Sequence, residues 1–168
     1  MAVMKHTISA LVENEAGVLS RVVGLFSSRG FNIESLTVAP VEKGDVSRIT
    51  IVTIGDDAII EQILKQLNKL VPVIRVVDLT GGPHVERELM LVKVAAERDV
   101  RAEVLRIADI FRSRVLDATT TSFVIEVTGA SDKLDACLAL LEPLGVTEMV
   151  RTGKVAMGRG SKGMIKKH

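Results

Sequence analysis

The sequence predicts an α+β fold built twice, each half a four-stranded antiparallel sheet with two helices on one face. Three observations carry that expectation. The order βαββαβ is legible in residues 7–79, the same order recurs in residues 89–150, and Thr80-Gly81-Gly82-Pro83 breaks the chain between them. A length of 168 residues suits two domains of about 80 each.

In the first half, residues 7–13 (TISALVE) read as an extended, largely apolar strand that ends in Glu13-Asn14-Glu15. Gly17 opens a run with apolar residues at Val18, Leu19, Val22, Leu25 and Phe26, which is helical spacing. Gly30 suits the left-handed position just past a helix end. Leu36 and Val38 mark a second strand and Arg48 to Ile54 a third, with turn chemistry between them at Glu42-Lys43-Gly44-Asp45, so the two read as a hairpin. Asp56 can cap a helix whose apolar face is Ile59, Ile60, Ile63, Leu64 and Leu67. After Pro72, Val73–Leu79 completes the first unit.

The second half follows the same plan. Leu89–Val94 is a strand, and Asp99 can cap a helix carrying Val100, Val104, Ile107, Ala108 and Phe111. Val115–Ala118 and Phe123–Thr128 are strands. Ser131 can cap a helix with Leu134, Cys137, Leu138 and Leu141, Pro143 marks its end, and Gly145–Val150 is the last strand. These are two ferredoxin-like units: residues 1–80, then a linker at 81–84 and a second domain over 85–157. Residues 158–168 read as a basic mobile tail. Units this small leave an open sheet face and exposed edges that need cover, so a homo-oligomer is expected.

Composition narrows function. Lys plus Arg is 22 against Asp plus Glu 21, a net charge of +1, which lacks the footprint of a general nucleic-acid binder. The single Cys excludes an internal disulfide framework, and His6, His84 and His168 are too far apart for a local metal cluster. No apolar run approaches a membrane span, and the first residues lack a signal-peptide core, so the expected location is the cytoplasm. There are four Phe and no Tyr or Trp, and the strand segments Ser9–Val12 and Ile49–Thr53 carry no aromatic for stacking bases, which disfavours an RNA-recognition module.

No catalytic constellation emerges. His6 has no Asp or Ser partner nearby in sequence, and Cys137 sits on an apolar helix stripe as a buried thiol would. Gly158-Arg159-Gly160-Ser161-Lys162-Gly163 lacks phosphate-loop spacing and a following helix. A small enzyme is therefore disfavoured. The junction Asn14-Glu15-Ala16-Gly17-Val18-Leu19 is different. A helix start presents unpaired N–H groups to a small carboxylate, and Gly17 allows close approach to the backbone. On residue chemistry alone the plainer reading leads, in which Gly17 makes a tight turn and Asn14 caps it. Asn32, in Gly30-Phe31-Asn32-Ile33, poses the same choice between a turn residue and a ligand contact from a neighbouring subunit.

Leu11–Val22, Leu25–Val38 with its NIESLTVAP continuation, Ser47–Ile51, Gln62–Val73 and HVERELMLVK from His84 resemble an ACT domain, and more specifically the regulatory small subunits of acetolactate synthase (acetohydroxyacid synthase). The resemblance spans most of residues 6–157. It implies a non-catalytic protein that binds and activates a catalytic large subunit and confers feedback inhibition by a branched-chain amino acid, usually valine. It places thiamine diphosphate, FAD and Mg on the large subunit and no cofactor on this chain. It also implies a homodimer through ACT domains, with the effector held by Asn14, Gly17, Val18 and Leu19 of one protomer and by Asn32 and Ile33 of the other.

Overall fold

The computed structural model describes residues 2–41 and 44–164. Glu42 and Lys43 of the expected hairpin turn, and Lys166, Lys167 and His168 of the expected tail, lie outside the described residues. The chain forms two compact units, Met1–Val85 with Lys154–His168, and Glu86–Gly153. Residues 154–164 lie with the first unit.

In the first unit, β1 (Met4–Glu13), α1 (Val18–Ser28), β2 (Ile33–Pro40), β3 (Val46–Gly55), α2 (Asp57–Lys69) and β4 (Val73–Asp78) follow the expected order. The sheet order is β2-β3-β1-β4, with all three neighbouring pairs antiparallel. Because successive side chains of a strand point to opposite faces, Ile8, Ala10 and Val12 of β1 and Ile49 and Ile51 of β3 meet the helices. Val18, Val22 and Phe26 of α1 and Ile60, Ile63 and Leu67 of α2 close that core. Spacings of three and four residues put each helical set on one stripe.

The helix ends show why α1 and α2 lie where they do. Asp56 caps α2, its carboxylate accepting the Ile59 N–H at 2.9 Å. At the end of α1, Gly30 adopts φ 69°, its N–H donates to Ser27 O at 3.2 Å, and the Phe31 N–H donates to Phe26 O at 2.9 Å. These are the two bonds of a Schellman ending. Its usual apolar contact is the edge-on pair Phe26 and Phe31, with ring centroids 6.3 Å apart.

The second unit runs β5 (His84–Ala95), α3 (Arg98–Ile110), β6 (Arg114–Ala118), β7 (Ser122–Gly129), α4 (Ser131–Gly145) and β8 (Val146–Arg151), in sheet order β6-β7-β5-β8. Met90, Val92 and Val94 of β5 and Phe123, Ile125 and Val127 of β7 pack under Val104, Ile107, Leu134, Cys137 and Leu141. Three expectations are corrected here. Asp99 lies inside α3, whose N-cap is Glu97. Ser131 is the first residue of α4 and not its cap, which is Ala130, and its hydroxyl donates to Glu88 Oε2 at 2.9 Å. Pro143 lies within α4, which continues to Gly145 before a φ of 109° ends it.

Glu88 anchors a polar network in this unit. Arg151 donates to both of its oxygens, Nε to Oε1 at 3.0 Å and Nη2 to Oε2 at 2.8 Å, and reaches Asp135 Oδ1 with Nη1. The Glu88 bond, more than any other contact, holds the Arg151 guanidinium above its ordinary range.

A short strand, β9 (Val155–Gly158), lies in the first unit. Within the first unit, Arg48 Nη2 donates to Ala156 O at 2.7 Å and Arg75 Nη1 to Met164 O at 2.9 Å.

Candidate functional site

β1 delivers the chain to the start of α1 through a loop that is fastened on both sides. Glu13 N–H donates to Pro72 O, and Asn14 N–H to Asp45 O, both at 2.8 Å. The Asn14 side chain adds a bond from Nδ2 to Gly44 O at 2.9 Å, which ties this loop to the β2–β3 turn. One of its two amide hydrogens is therefore engaged with protein, while the other and the acceptor Oδ1 remain.

Gly17 then takes φ 85°, a left-handed conformation that glycine adopts without steric cost. A Cβ there would meet nothing within 4 Å, so the space in front of the glycine is open. Helix α1 begins with no side-chain cap and no acid in its first turn. The Val18 N–H donates to Glu15 O at 3.4 Å, and the first α-helical bond is Arg21 N–H to Gly17 O at 3.0 Å. The Leu19 and Ser20 N–H groups precede that regular ladder and face out of the helix start. Val18 is buried in the first core, whereas Leu19 is 39% exposed beside the opening. A positive helix end, two outward N–H groups and an apolar side chain fit a small carboxylate with an aliphatic tail.

Asn32 and Ile33 lie past the other end of α1. Asn32 is exposed, its Nδ2 donates to Glu34 Oε1 at 2.9 Å, and its carbonyl accepts from Thr53 Oγ1 at 2.6 Å. Ile33 opens β2 opposite Thr53 and packs, half-buried, on the first core. An 11-residue helix is about 16 Å long. The structure therefore groups Asn14, Gly17, Val18 and Leu19 and sets Asn32 and Ile33 far from them within one chain.

Sequence reasoning missed the partner of His6. Asp78, the last residue of β4, places Oδ2 2.8 Å from His6 Nδ1 and accepts the Thr80 N–H with Oδ1 at 2.9 Å. The separation of 72 residues hid the pair. Among the described residues Nε2 is buried and has no hydrogen-bond partner, so no hydroxyl or thiol extends the pair. Cys137 is buried, and burial pushes its thiol up despite opposing contributions from Ser113 and Lys133. That is the reverse of an activated nucleophile. Among the described residues no group of three His, Cys, Asp or Glu could hold a metal, and no helix is long and apolar enough to cross a membrane.

Two family models match the chain. One described as "AHAS small subunit-like ACT domain" covers residues 8–75, and one described as "Small subunit of acetolactate synthase" covers residues 87–160. A probable acetolactate synthase small subunit from Archaeoglobus fulgidus is 54% identical over 159 residues, 95% of this chain and 99% of that protein. The acetolactate synthase isozyme 3 small subunit of Salmonella typhimurium is 52% identical over 160 residues, 95% of this chain and 98% of its own length. Among solved structures, the acetolactate synthase small subunit of Thermotoga maritima superposes with a TM-score of 0.86 at 42% identity, covering 95% of this chain and 99% of that one.

Proposed function

The chain belongs to the family of acetolactate synthase small subunits, and from that membership we propose that it is a regulatory subunit that binds the catalytic subunit, raises its activity and transmits feedback inhibition by valine or another branched-chain amino acid. Thiamine diphosphate, FAD and Mg belong to the catalytic subunit on this reading, and this chain works in the cytoplasm as a homodimer joined through its ACT domains.

The observation that carries the effector assignment is the uncapped start of α1, entered through a left-handed Gly17 with open space in front of it. The effector carboxylate sits against the Leu19 and Ser20 N–H groups. Each candidate asparagine spends one amide hydrogen on a protein acceptor, which leaves Oδ1 for the effector ammonium and one N–H for its carboxylate. Leu19 and Ile33 line the aliphatic end, and Val18, whose side chain is buried in the first core, contributes main chain at the helix start.

The separation of the two residue groups supports a site shared by two copies. One small amino acid cannot span the length of α1, whereas a twofold axis can bring Asn32 and Ile33 of a second copy to the start of α1 and creates two equivalent sites in doing so.

Isothermal titration of the purified chain with valine, compared with leucine, isoleucine and alanine, tests this directly, since a chain without Trp or Tyr gives no useful intrinsic fluorescence. Saturable binding is expected, lost in Gly17→Asp and Asn14→Ala and weakened in Asn32→Ala while each variant stays folded and still activates the catalytic subunit. Full valine sensitivity in those variants would overturn the site. Absence of binding to the chain both alone and with the catalytic subunit would overturn the effector role.

A further inference from the structure

We propose that Lys154–Met164 is a displaceable strap over the helix-free face of the first sheet, and that Arg48 and Arg75 beneath it form a docking surface for a carboxylate-bearing segment of the catalytic subunit. The partner's identity rests on the function proposed above; the strap itself rests on contacts within the first unit.

Leu11 of β1 stands opposite Arg48 of β3 on one side and Arg75 of β4 on the other. Directly opposed residues share a face, so the three form a row on the side away from the helices. The register of Ser9 agrees, since Arg48 Nε donates to Ser9 Oγ at 2.8 Å. Both arginines then donate to strap carbonyls, those of Ala156 and Met164. Among the described residues neither arginine has a carboxylate partner.

The strap is a poor cover for such a row. It carries Lys154, Arg159 and Lys162 and no acid, so a cationic segment lies over two cations. Burial disfavours the charged form of Arg48, and no opposite charge offsets it. Two further ties, Arg159 N–H to Pro83 O and Arg159 Nε to His84 O, again end on main-chain carbonyls. Of the strap's apolar side chains in β9, only Ala156 is buried, while Val155 and Met157 are 51% and 63% exposed. Segments with little buried apolar area open at low free-energy cost. A carboxylate binds guanidinium through charge-assisted, bidentate hydrogen bonds roughly twice as strong as neutral ones. An acidic partner segment therefore outcompetes the strap for the same two side chains.

Hydrogen exchange on the full chain, with and without its cognate catalytic subunit, reads the displacement. Amides of Val155–Gly163 are expected to lose protection in the complex; unchanged or increased protection there, with the complex formed, would overturn the strap. In binding measurements, a chain ended at Gly153 is expected to hold the catalytic subunit about fivefold more tightly or better, within the ordinary range of coupling. The full chain carrying Arg48→Gln and Arg75→Gln should bind more weakly and with a shallower salt dependence. Equal or weaker binding by a shortened chain of native far-UV dichroism would overturn the competition, and unaltered binding by the double variant would overturn the docking surface. Failure of every version to form a complex would instead overturn the family-based partner, and the docking surface with it.

Discussion

Replacing Glu88 by Ala removes the centre of the network that ties β5, β8 and α4 together. Glu88 is 7% exposed and accepts three hydrogen bonds, two from Arg151 and one from Ser131. The variant leaves the Arg151 guanidinium, whose side chain is 23% exposed, with Asp135 as its remaining ion-pair partner. Asp135 is 63% exposed, and ion pairs with exposed groups contribute little. Breaking a buried pair costs about 3–5 kcal/mol because one charge stays buried and unpaired. The partial exposure of Arg151 puts this case near about 3 kcal/mol. For a domain of this size each kcal/mol lowers Tm by about 4–8 °C, so a fall of about 12–24 °C is expected in the transition of the second unit. Thermal and urea unfolding followed by far-UV circular dichroism measure it. Glu88→Met combined with Arg151→Met removes both charges while keeping apolar volume, and should recover most of the loss. An unchanged transition in Glu88→Ala would refute the reasoning. A double variant as unstable as the single one would show that lost packing, not the stranded charge, sets the cost.

Two further outcomes follow from local geometry. Gly30→Ala forces a Cβ into a φ of 69° with open space around it, so the cost is conformational and about 1–2 kcal/mol, read as a shift in urea midpoint with an unaltered m-value. Cys137, buried with its thiol pushed up, should react with an aromatic disulfide reagent only as fast as the second unit opens. Rapid labelling under native conditions would contradict its place in the core.

Legibility in the sequence followed the range of the interactions. Asp56 and Gly30 were readable because an N-cap and a Schellman ending are made by residues within one turn of each other. Ser131 satisfied the same local rule, yet α4 starts one residue earlier than a Ser131 cap requires, and its hydroxyl donates to Glu88, 43 residues away. Pro143 was read as a stop, yet proline's fixed φ is helical and its cost is a lost hydrogen bond near an end; Gly145 is where α4 turns out of helical geometry. At the candidate site the space in front of Gly17 is open and Asn14 makes no cap bond, unlike the capped turn that the residues also suggested. The bond from Asn14 to Gly44 was not legible, since it depends on how the β2–β3 turn folds back on the first loop. The His6 and Asp78 pair and the return of residues 154–164 to the first unit are tertiary in the same sense. No periodicity records them.

The position of α1 gives the proposed regulation its physical form. One end of the helix offers N–H groups, the other carries Asn32 and Ile33, and a ligand that needs both ends must take them from two chains. Effector binding and pairing of ACT domains then become one linked equilibrium, and each strengthens the other by the same factor. The effector can act on the catalytic subunit only through a difference in affinity between two arrangements of that pair. Selectivity among aliphatic amino acids is a separate and weaker matter. At the proposed site it would rest on the fit of Leu19 and Ile33, where one methylene is worth about 1–3 kcal/mol. Val18 is buried in the core and Leu19 is partly exposed, so substitutions at Leu19 can retune the aliphatic end with little loss of stability, whereas substitutions at Val18 disturb the core.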